Sequence, residues 1–177
     1  ACDDRLAGIM LTNPNTLGLF DQNVTEVAAI IHEAGGLVYG DGANLNALLG
    51  IVKPGELGID IMHFNLHKTF STPHGGGGPG SGPIGVIDDL IDYLPGPIAV
   101  MVEEGDDDNP PYFDLQMPTK SIGRVKAFFG QFGVIVRAFT YISMHGPEGL
   151  RKIAENAVLN ANYIYAGIKD KYYVEHD

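Results

Sequence analysis

The chain has 177 residues, of which 45% are hydrophobic and 19% are charged, a composition typical of a globular domain or a large part of one. Its formal net charge of -11 argues against binding to the phosphate backbone of a nucleic acid. The single cysteine excludes an internal disulfide framework, and no apolar run approaches the roughly 20 residues that a membrane-spanning helix needs.

The chain begins with a predicted strand and a predicted helix. The apolar run Leu6–Leu11 indicates a buried strand, and the turn cluster that follows it starts at Thr12. Apolar residues at helical spacing predict a helix that runs to about Ala34, with Asn23 or Thr25 as its cap. A strand followed by a helix is the start of an α/β unit.

Two more strands follow in the first half. Leu37–Tyr39 predicts a strand that ends at Asp41, and residues 44–49 predict a small helix or turn. Ile59–Asn65 predicts a third strand, and Lys68 follows closely after its end. Asp41 and Lys68 are therefore expected at the ends of two separate strands.

The second half is less regular. The segment 73–83 is rich in glycine and proline and predicts a loop, and Ile84–Ile87 predicts a fourth strand. Residues 92–120 contain many Pro and Asp residues and predict irregular structure, and long helices are predicted at 123–145 and 147–170. Together these elements indicate a three-layer α/β fold with a parallel or mixed sheet, where ligands bind at the carboxyl ends of strands.

Asp41 and Lys68 form the first candidate pair. A carboxylate at a partly buried strand end is costly unless it meets a cation. The alternative interpretation of Asp41 is a turn residue or helix cap, because Gly42 follows. Partial burial lowers the pKa of a lysine and makes it a nucleophile, whereas the alternative for Lys68 is an ordinary surface lysine. Pyridoxal phosphate needs both partners, a carboxylate at its ring nitrogen and a lysine at its aldehyde.

Several neighbours of Lys68 are secondary candidates. His67 is placed to donate to a cofactor phosphate, or else to bond the backbone, and Thr69 and Ser71 are placed to do the same or to complete the turn. The glycine-rich loop 73–83 lacks the Gly-Lys-Ser/Thr of a Walker loop, and we interpret it as backbone packed close to the lysine.

Other clusters are given structural interpretations. We do not predict a metal site at His63, His67 and His74, because their spacing suits a helix and this segment predicts strand and loop. The acidic run 103–108 predicts a solvated loop. A stripe of four phenylalanines is expected in the core: Phe128, Phe129, Phe132 and Phe139.

Five segments together resemble the glycine cleavage P-protein family, in its two-subunit form. They are Leu11–Phe20 (LTNPNTLGLF), Asp41–Asn46 (DGANLN), Asn65–Phe70 (NLHKTF), Pro73–Pro83 (PHGGGGPGSGP) and Lys120–Arg124 (KSIGR). The resemblance is to the second subunit and covers nearly the whole chain. It implies the large domain of a fold-type-I pyridoxal-phosphate enzyme, similar to aspartate aminotransferase, with residues 1–177 as its central part.

The resemblance also implies roles for particular residues. Lys68 would be the catalytic residue that holds the cofactor aldehyde, and Asp41 would pair with the pyridine nitrogen. His67 would lie near the phosphate, Asn44 near the ring, and Thr12 or Asn15 near the ring oxygen.

The activity implied is that of glycine dehydrogenase (decarboxylating). Glycine would lose carbon dioxide, and its aminomethyl group would pass to the lipoyl group of the H-protein. The other P-protein subunit is an expected partner, and the expected location is the cytoplasm, or the mitochondrial matrix in a eukaryote.

The family pattern is longer than this chain, so the N-terminal part and the small C-terminal domain are expected to be absent. Two alternatives stay open at this point. One is another fold-type-I activity, such as an aminotransferase or a cysteine desulfurase. The other is a non-catalytic fragment that needs a partner chain.

Overall fold

The candidate residues are carried by a four-stranded sheet. In the computed structural model, which describes residues 3–77 and 80–173, the strands are β1 (Gly8–Thr12), β2 (Leu37–Gly42), β3 (Ile61–Phe64) and β4 (Ile84–Val86). They are arranged in the order β1-β2-β3-β4, and the β1–β2 and β2–β3 pairs are parallel. The carboxyl ends of β1, β2 and β3 therefore meet at one edge of the sheet.

Helix α1 (Val24–Glu33) makes the crossover between β1 and β2. It buries one face, on which Val24, Ala28 and Ile31 lie at helical spacing, against the sheet. Asn23 precedes the helix as predicted, but its side chain makes no capping hydrogen bond. The helix ends before Gly35, whose φ of 80° is the left-handed conformation that glycine adopts most readily.

A short helix carries the candidate lysine. The predicted third strand is shorter than expected, because the chain turns at Asn65, whose carbonyl accepts the N–H groups of Lys68 (3.1 Å) and Thr69 (3.2 Å). Residues Leu66–Thr69 form the single-turn helix α2. A second core cluster anchors this turn and consists of Leu66, Phe70, Val134 and Ala138.

Helix α3 (Phe132–Ile168) supplies the other half of that cluster. Its backbone breaks at Gly146, where φ is 60°, and Pro147 follows, so the predicted division into two helices is reproduced as a break within one element. The predicted start at residue 123 is wrong. Gly123 and Gly130 have φ values of 94° and 101°, which interrupt any helix in the segment before Phe132.

Residues 86–129 form a compact unit of their own, distinct from the unit made by the rest of the chain. Within it β5 (Ile98–Glu103) and β6 (Tyr112–Gln116) pair antiparallel. The prediction of irregular structure for 92–120 is therefore wrong. The proline residues that suggested it lie outside both strands, where they do not interrupt the hydrogen-bonded ladder.

The phenylalanine stripe is also predicted wrongly, because each of its four rings is more than half exposed in this chain. In the first arm of α3 the small side chains Val134 and Ala138 face the core instead. In the described part of the chain, none of the helices combines the length and the apolar character that crossing a bilayer requires.

Candidate active site

Strand register brings three candidate side chains to one edge of the sheet. Thr12 of β1 is the register partner of Asp41 of β2, and Asp41 is the partner of His63 of β3. Register partners in parallel strands project from the same face of the sheet. Thr12 and Asp41 were predicted from the sequence as neighbours at the cofactor, and the structure places them in adjacent strands.

The Asp41 carboxylate is held through one of its two oxygens. Oδ1 accepts the backbone N–H of Ala43 at 2.7 Å and lies 3.4 Å from Nε2 of His63. Oδ2 makes no hydrogen bond to any residue in the described ranges 3–77 and 80–173. The turn role and the ligand role are therefore compatible, because they use different oxygens.

His63 connects Asp41 to a tyrosine two residues earlier on β2. Its Nδ1 lies 2.9 Å from the hydroxyl of Tyr39, and the two rings are tilted by 31°. Burial, and then the negative charge of Asp41, raise the pKa of the Tyr39 hydroxyl. Tyr39 therefore keeps its proton at neutral pH and has a hydrogen to donate.

The side chains of Asn44 and Asn15 join two loops at this edge. Asn44 Nδ2 donates to the carbonyls of Pro14 (2.9 Å) and Asn15 (3.1 Å). Asn15 Oδ1 accepts the N–H groups of Leu17 (2.9 Å) and Leu19 (3.1 Å). Both asparagines thus shape the loops beside Asp41, and their contact with a cofactor stays a prediction.

Lys68 lines an open cavity of about 560 Å³ between the α2 turn and helix α3. His67 and Asn46 also line this cavity, whereas Asp41 is not among its lining residues. The structure therefore brings Lys68 together with His67, and Asp41 together with His63 and Thr12. The two groups sit at the ends of adjacent parallel strands, β2 and β3.

His67 is held in its neutral form. Burial lowers the pKa of its imidazole, and electrostatic interactions with the neighbouring His74 and Lys68 lower it further. Its ring meets that of His74 edge-on with the ring centres 4.6 Å apart. A neutral imidazole keeps one N–H to donate, so His67 can serve as a donor to an anion.

Buried polar atoms without a partner concentrate around Lys68. In the parts of the chain that are described, they are Asn65 Oδ1, His67 Nδ1, Thr69 Oγ1 and Thr72 Oγ1. A buried polar group without a hydrogen bond is costly and calls for an explanation. Three of the four can donate, so this segment has the donors that a bound phosphate requires and fits pyridoxal phosphate.

Arg137 is a site residue that the sequence did not single out. It lies on α3 among the residues that line the cavity of Lys68, and none of the described lining residues is Asp or Glu. In a chain of net charge -11, a cavity whose described lining holds Lys68 and Arg137 but no carboxylate is suited to an anion. Sequence reasoning missed Arg137 because only the packing of α3 brings it to the cavity.

No metal centre accompanies this site in the described residues, where no three His, Cys, Asp or Glu side chains are grouped to hold an ion.

Comparison with known proteins gives a consistent match. A family model described as "Glycine cleavage system P-protein" matches residues 1–177. A probable glycine dehydrogenase (decarboxylating) subunit 2 from Pyrococcus abyssi is 58% identical over 96% of this chain and 33% of its own length. The protein of the same name from Alkaliphilus oremlandii is 53% identical over 98% of this chain and 34% of its own. The chain thus spans about a third of the length of the curated relatives it matches.

Solved structures show the same architecture at low identity. Mouse CSAD in its apo form aligns with a TM-score of 0.59 at 17% identity, over 93% of this chain and 33% of that chain. A sphingosine-1-phosphate lyase from Burkholderia pseudomallei aligns with a TM-score of 0.52 at 18% identity, over 88% of this chain and 34% of that chain. At these identities the likeness shows the fold alone, and it confirms the predicted fold-type-I α/β class.

Proposed function

The chain belongs to the glycine cleavage system P-protein family, and we propose that its parent protein decarboxylates glycine and passes the aminomethyl group to the lipoyl group of an H-protein. The family was predicted from the sequence motifs, and that prediction is confirmed. The activity is a proposal because the chain spans about a third of its relatives' length.

One structural observation carries the proposal most directly. Among the residues that the structure describes, the lining of the Lys68 cavity contains no carboxylate, and the buried polar side-chain atoms without a partner lie in the segment around Lys68. A lysine amine beside unpaired donors is the arrangement that an aldehyde cofactor with a phosphate group needs.

The proposed roles of the residues are those that the resemblance to the family implies. Lys68 holds the cofactor covalently and is the proposed catalytic residue. Asp41 supports the ring nitrogen, and His67 donates to the phosphate from its neutral imidazole. Asn44 approaches the ring, while Thr12 or Asn15 approaches the ring oxygen.

Bound pyridoxal phosphate supplies an electron-accepting ring that takes up the electron pair released when carbon dioxide leaves the α-carbon of glycine. The work of this chain is to bind and orient. The Asp41 carboxylate would hold the ring nitrogen in its protonated form, and the Lys68 amine would hold the cofactor aldehyde at the position that the glycine amine has to reach. Packing of α2 against α3 fixes the turn that carries Lys68.

Arg137 is proposed to bind the carboxylate of glycine. The substrate amine must reach the position of the Lys68 amine, and Arg137 is a lining residue of the same cavity. A guanidinium matches a carboxylate with two parallel hydrogen bonds, which a lysine cannot do.

Partners follow from the proposed reaction. The curated relatives are named as subunit 2, and we propose another P-protein subunit and a lipoylated H-protein as partners of this one. The relatives come from bacteria and archaea, and the proposed location is the cytoplasm.

Neither rival interpretation is favoured by a specific observation. The likeness to solved structures reaches only the fold, so it does not favour an aminotransferase or a cysteine desulfurase. A non-catalytic fragment is an outcome of the test below.

The test is made with the full-length protein, its proposed partner subunit and pyridoxal phosphate. Borohydride reduction followed by peptide mass spectrometry should place the reduced cofactor on Lys68. Carbon dioxide should be released from labelled glycine only when lipoylated H-protein is present, and Lys68→Ala should abolish both results.

Lys53→Ala is the matched control, because Lys53 is a surface lysine that bonds Glu56 at 2.9 Å and should leave both results unchanged. A protein that stays colourless and unmodified at Lys68 would support the non-catalytic interpretation. Turnover of another amino acid without H-protein would support a different fold-type-I activity.

A further inference from the structure

Tyr39, His63 and Asp41 form a chain of contacts on one face of the sheet. Tyr39 and Asp41 are two residues apart on β2, so they project to the same side, and His63 is the register partner of Asp41 on β3. The Tyr39 hydroxyl lies 2.9 Å from His63 Nδ1, and His63 Nε2 lies 3.4 Å from Asp41 Oδ1.

The chemistry of the three groups fixes the direction of the contacts. The 3.4 Å between His63 Nε2 and Asp41 Oδ1 is an ion-pair distance, and because a carboxylate only accepts hydrogen bonds, His63 interacts favourably with Asp41 when the hydrogen is on Nε2. In a neutral imidazole the other nitrogen is then an acceptor, and the Tyr39 hydroxyl donates to it. Because the raised pKa of Tyr39 keeps its hydroxyl protonated, that donor persists across the neutral range.

This chain of donors acts on one oxygen only. Asp41 Oδ1 is engaged by Ala43 and faces His63, while Oδ2 has no partner within the described ranges of the chain. The donors hold the plane of the carboxylate and leave Oδ2 for a ligand. A ligand group that forms a hydrogen bond with Oδ2 must be the donor.

We infer that His63, oriented by Tyr39, is a positioning residue that holds the Asp41 carboxylate so that Oδ2 receives the protonated ring nitrogen of the cofactor. This inference rests on the proposed function, because it needs a pyridine nitrogen at Asp41. His63 acts through Asp41 and does not itself touch the cofactor.

Gly42, the residue after Asp41, allows β2 and β3 to approach closely. An added Cβ at Gly42 would collide with the carbonyl oxygen of His63, so glycine at this position lets β2 and β3 approach closely beside Asp41. Close approach of the strands is what brings the His63 ring within reach of the carboxylate.

The experiment measures cofactor affinity rather than turnover, with the full-length holoenzyme. Dissociation constants are determined by absorbance titration for pyridoxal phosphate and for 1-deaza-pyridoxal phosphate, in which carbon replaces the ring nitrogen. The measured quantity is the ratio of the two constants. The wild-type protein is expected to prefer pyridoxal phosphate, because only that cofactor offers an N–H to Asp41.

His63→Ala should reduce this preference about tenfold, the scale of one hydrogen bond to a charged group. His63→Gln should restore part of it, because its amide can still donate toward Asp41. Tyr39→Phe should reduce it less than His63→Ala, and the matched control Tyr112→Phe, an exposed tyrosine on β6, should not change it.

Each result has one meaning. If His63→Ala leaves the ratio of the two dissociation constants unchanged, even though both cofactors bind more weakly, then His63 has a structural role only and the inference is wrong. Asp41→Ala separates this failure from failure of the proposed function. If that variant keeps the full preference for the ring nitrogen, Asp41 does not support the cofactor at all.

Discussion

The Asp60 carboxylate lies 2.8 Å from His32 Nε2 and 2.7 Å from the backbone N–H of Val38, and so joins helix α1, strand β2 and the entry to strand β3. Asp60 is buried, whereas its histidine partner is partly exposed. Its oxygen Oδ2 receives both contacts, which fixes where β3 begins beside β2.

Asp60→Ala should lower the free energy of unfolding by about 2 kcal/mol, because it leaves the N–H of the fully buried Val38 without an acceptor. Asp60→Asn keeps an oxygen acceptor and should cost less. Urea unfolding followed by circular dichroism measures both values. Equal stability of Asp60→Ala and the wild type would show that the buried contact contributes nothing.

Gly42→Ala should lower the free energy of unfolding by about 1–3 kcal/mol, the usual cost of forcing extra atoms into a packed position. The added Cβ would collide with the His63 carbonyl group, which is backbone, so β2 and β3 would have to separate at Asp41. Gly55→Ala is the matched control, since nothing lies within 4 Å of its added Cβ. Chemical denaturation of both variants tests the comparison, and equal stability would contradict it.

His67 should make the apo protein less stable in acid. Its folded-state pKa lies below the usual value of about 6.5, so between the two values the unfolded chain binds more protons than the folded one. The contribution of His67 to the free energy of unfolding is therefore fully present above about pH 6.5. It is lost as the pH falls through that value toward the lower pKa of the folded state.

Urea unfolding at pH 7.5 and at pH 5.5 measures this effect. The wild type should lose more stability between the two than His67→Asn, because asparagine has no proton to gain. An equal loss in both proteins would mean that His67 is free to protonate in the folded state.

Arg137→Gln should raise the KM for glycine about tenfold or more, because the guanidinium is proposed to hold the substrate carboxylate. The affinity for pyridoxal phosphate should stay unchanged. Lys169→Gln, which removes an exposed cation at the end of the same helix, is the control for net charge. If the variant bound pyridoxal phosphate more weakly while its KM for glycine stayed unchanged, Arg137 would instead be assigned to the cofactor phosphate.

Local patterns predicted the first half of the fold well. The periodicity of Val24, Ala28 and Ile31 located α1, and the apolar runs located the first three strands within a few residues. These elements are determined locally, because a helix face or a buried strand has to match a hydrophobic core in its own short segment.

Prediction from local sequence patterns was wrong for strands β5 and β6 and for the phenylalanine stripe. Prolines near β5 and β6 suggested irregular structure, although they lie outside the strands. The aromatic character of Phe132 and Phe139 suggested burial, whereas the smaller Val134 and Ala138 form the contact with the α2 turn.

The sequence by itself determined the chemistry that is available: a carboxylate at Asp41, at the end of one predicted strand, and an amine at Lys68, just past the end of the next. Only the tertiary structure decided which groups meet. Strand register set His63 against Asp41, and the packing of α3 brought Arg137 to the cavity of Lys68. These contacts join residues far apart in the chain, and no local pattern encodes the strand register or helix placement that creates them.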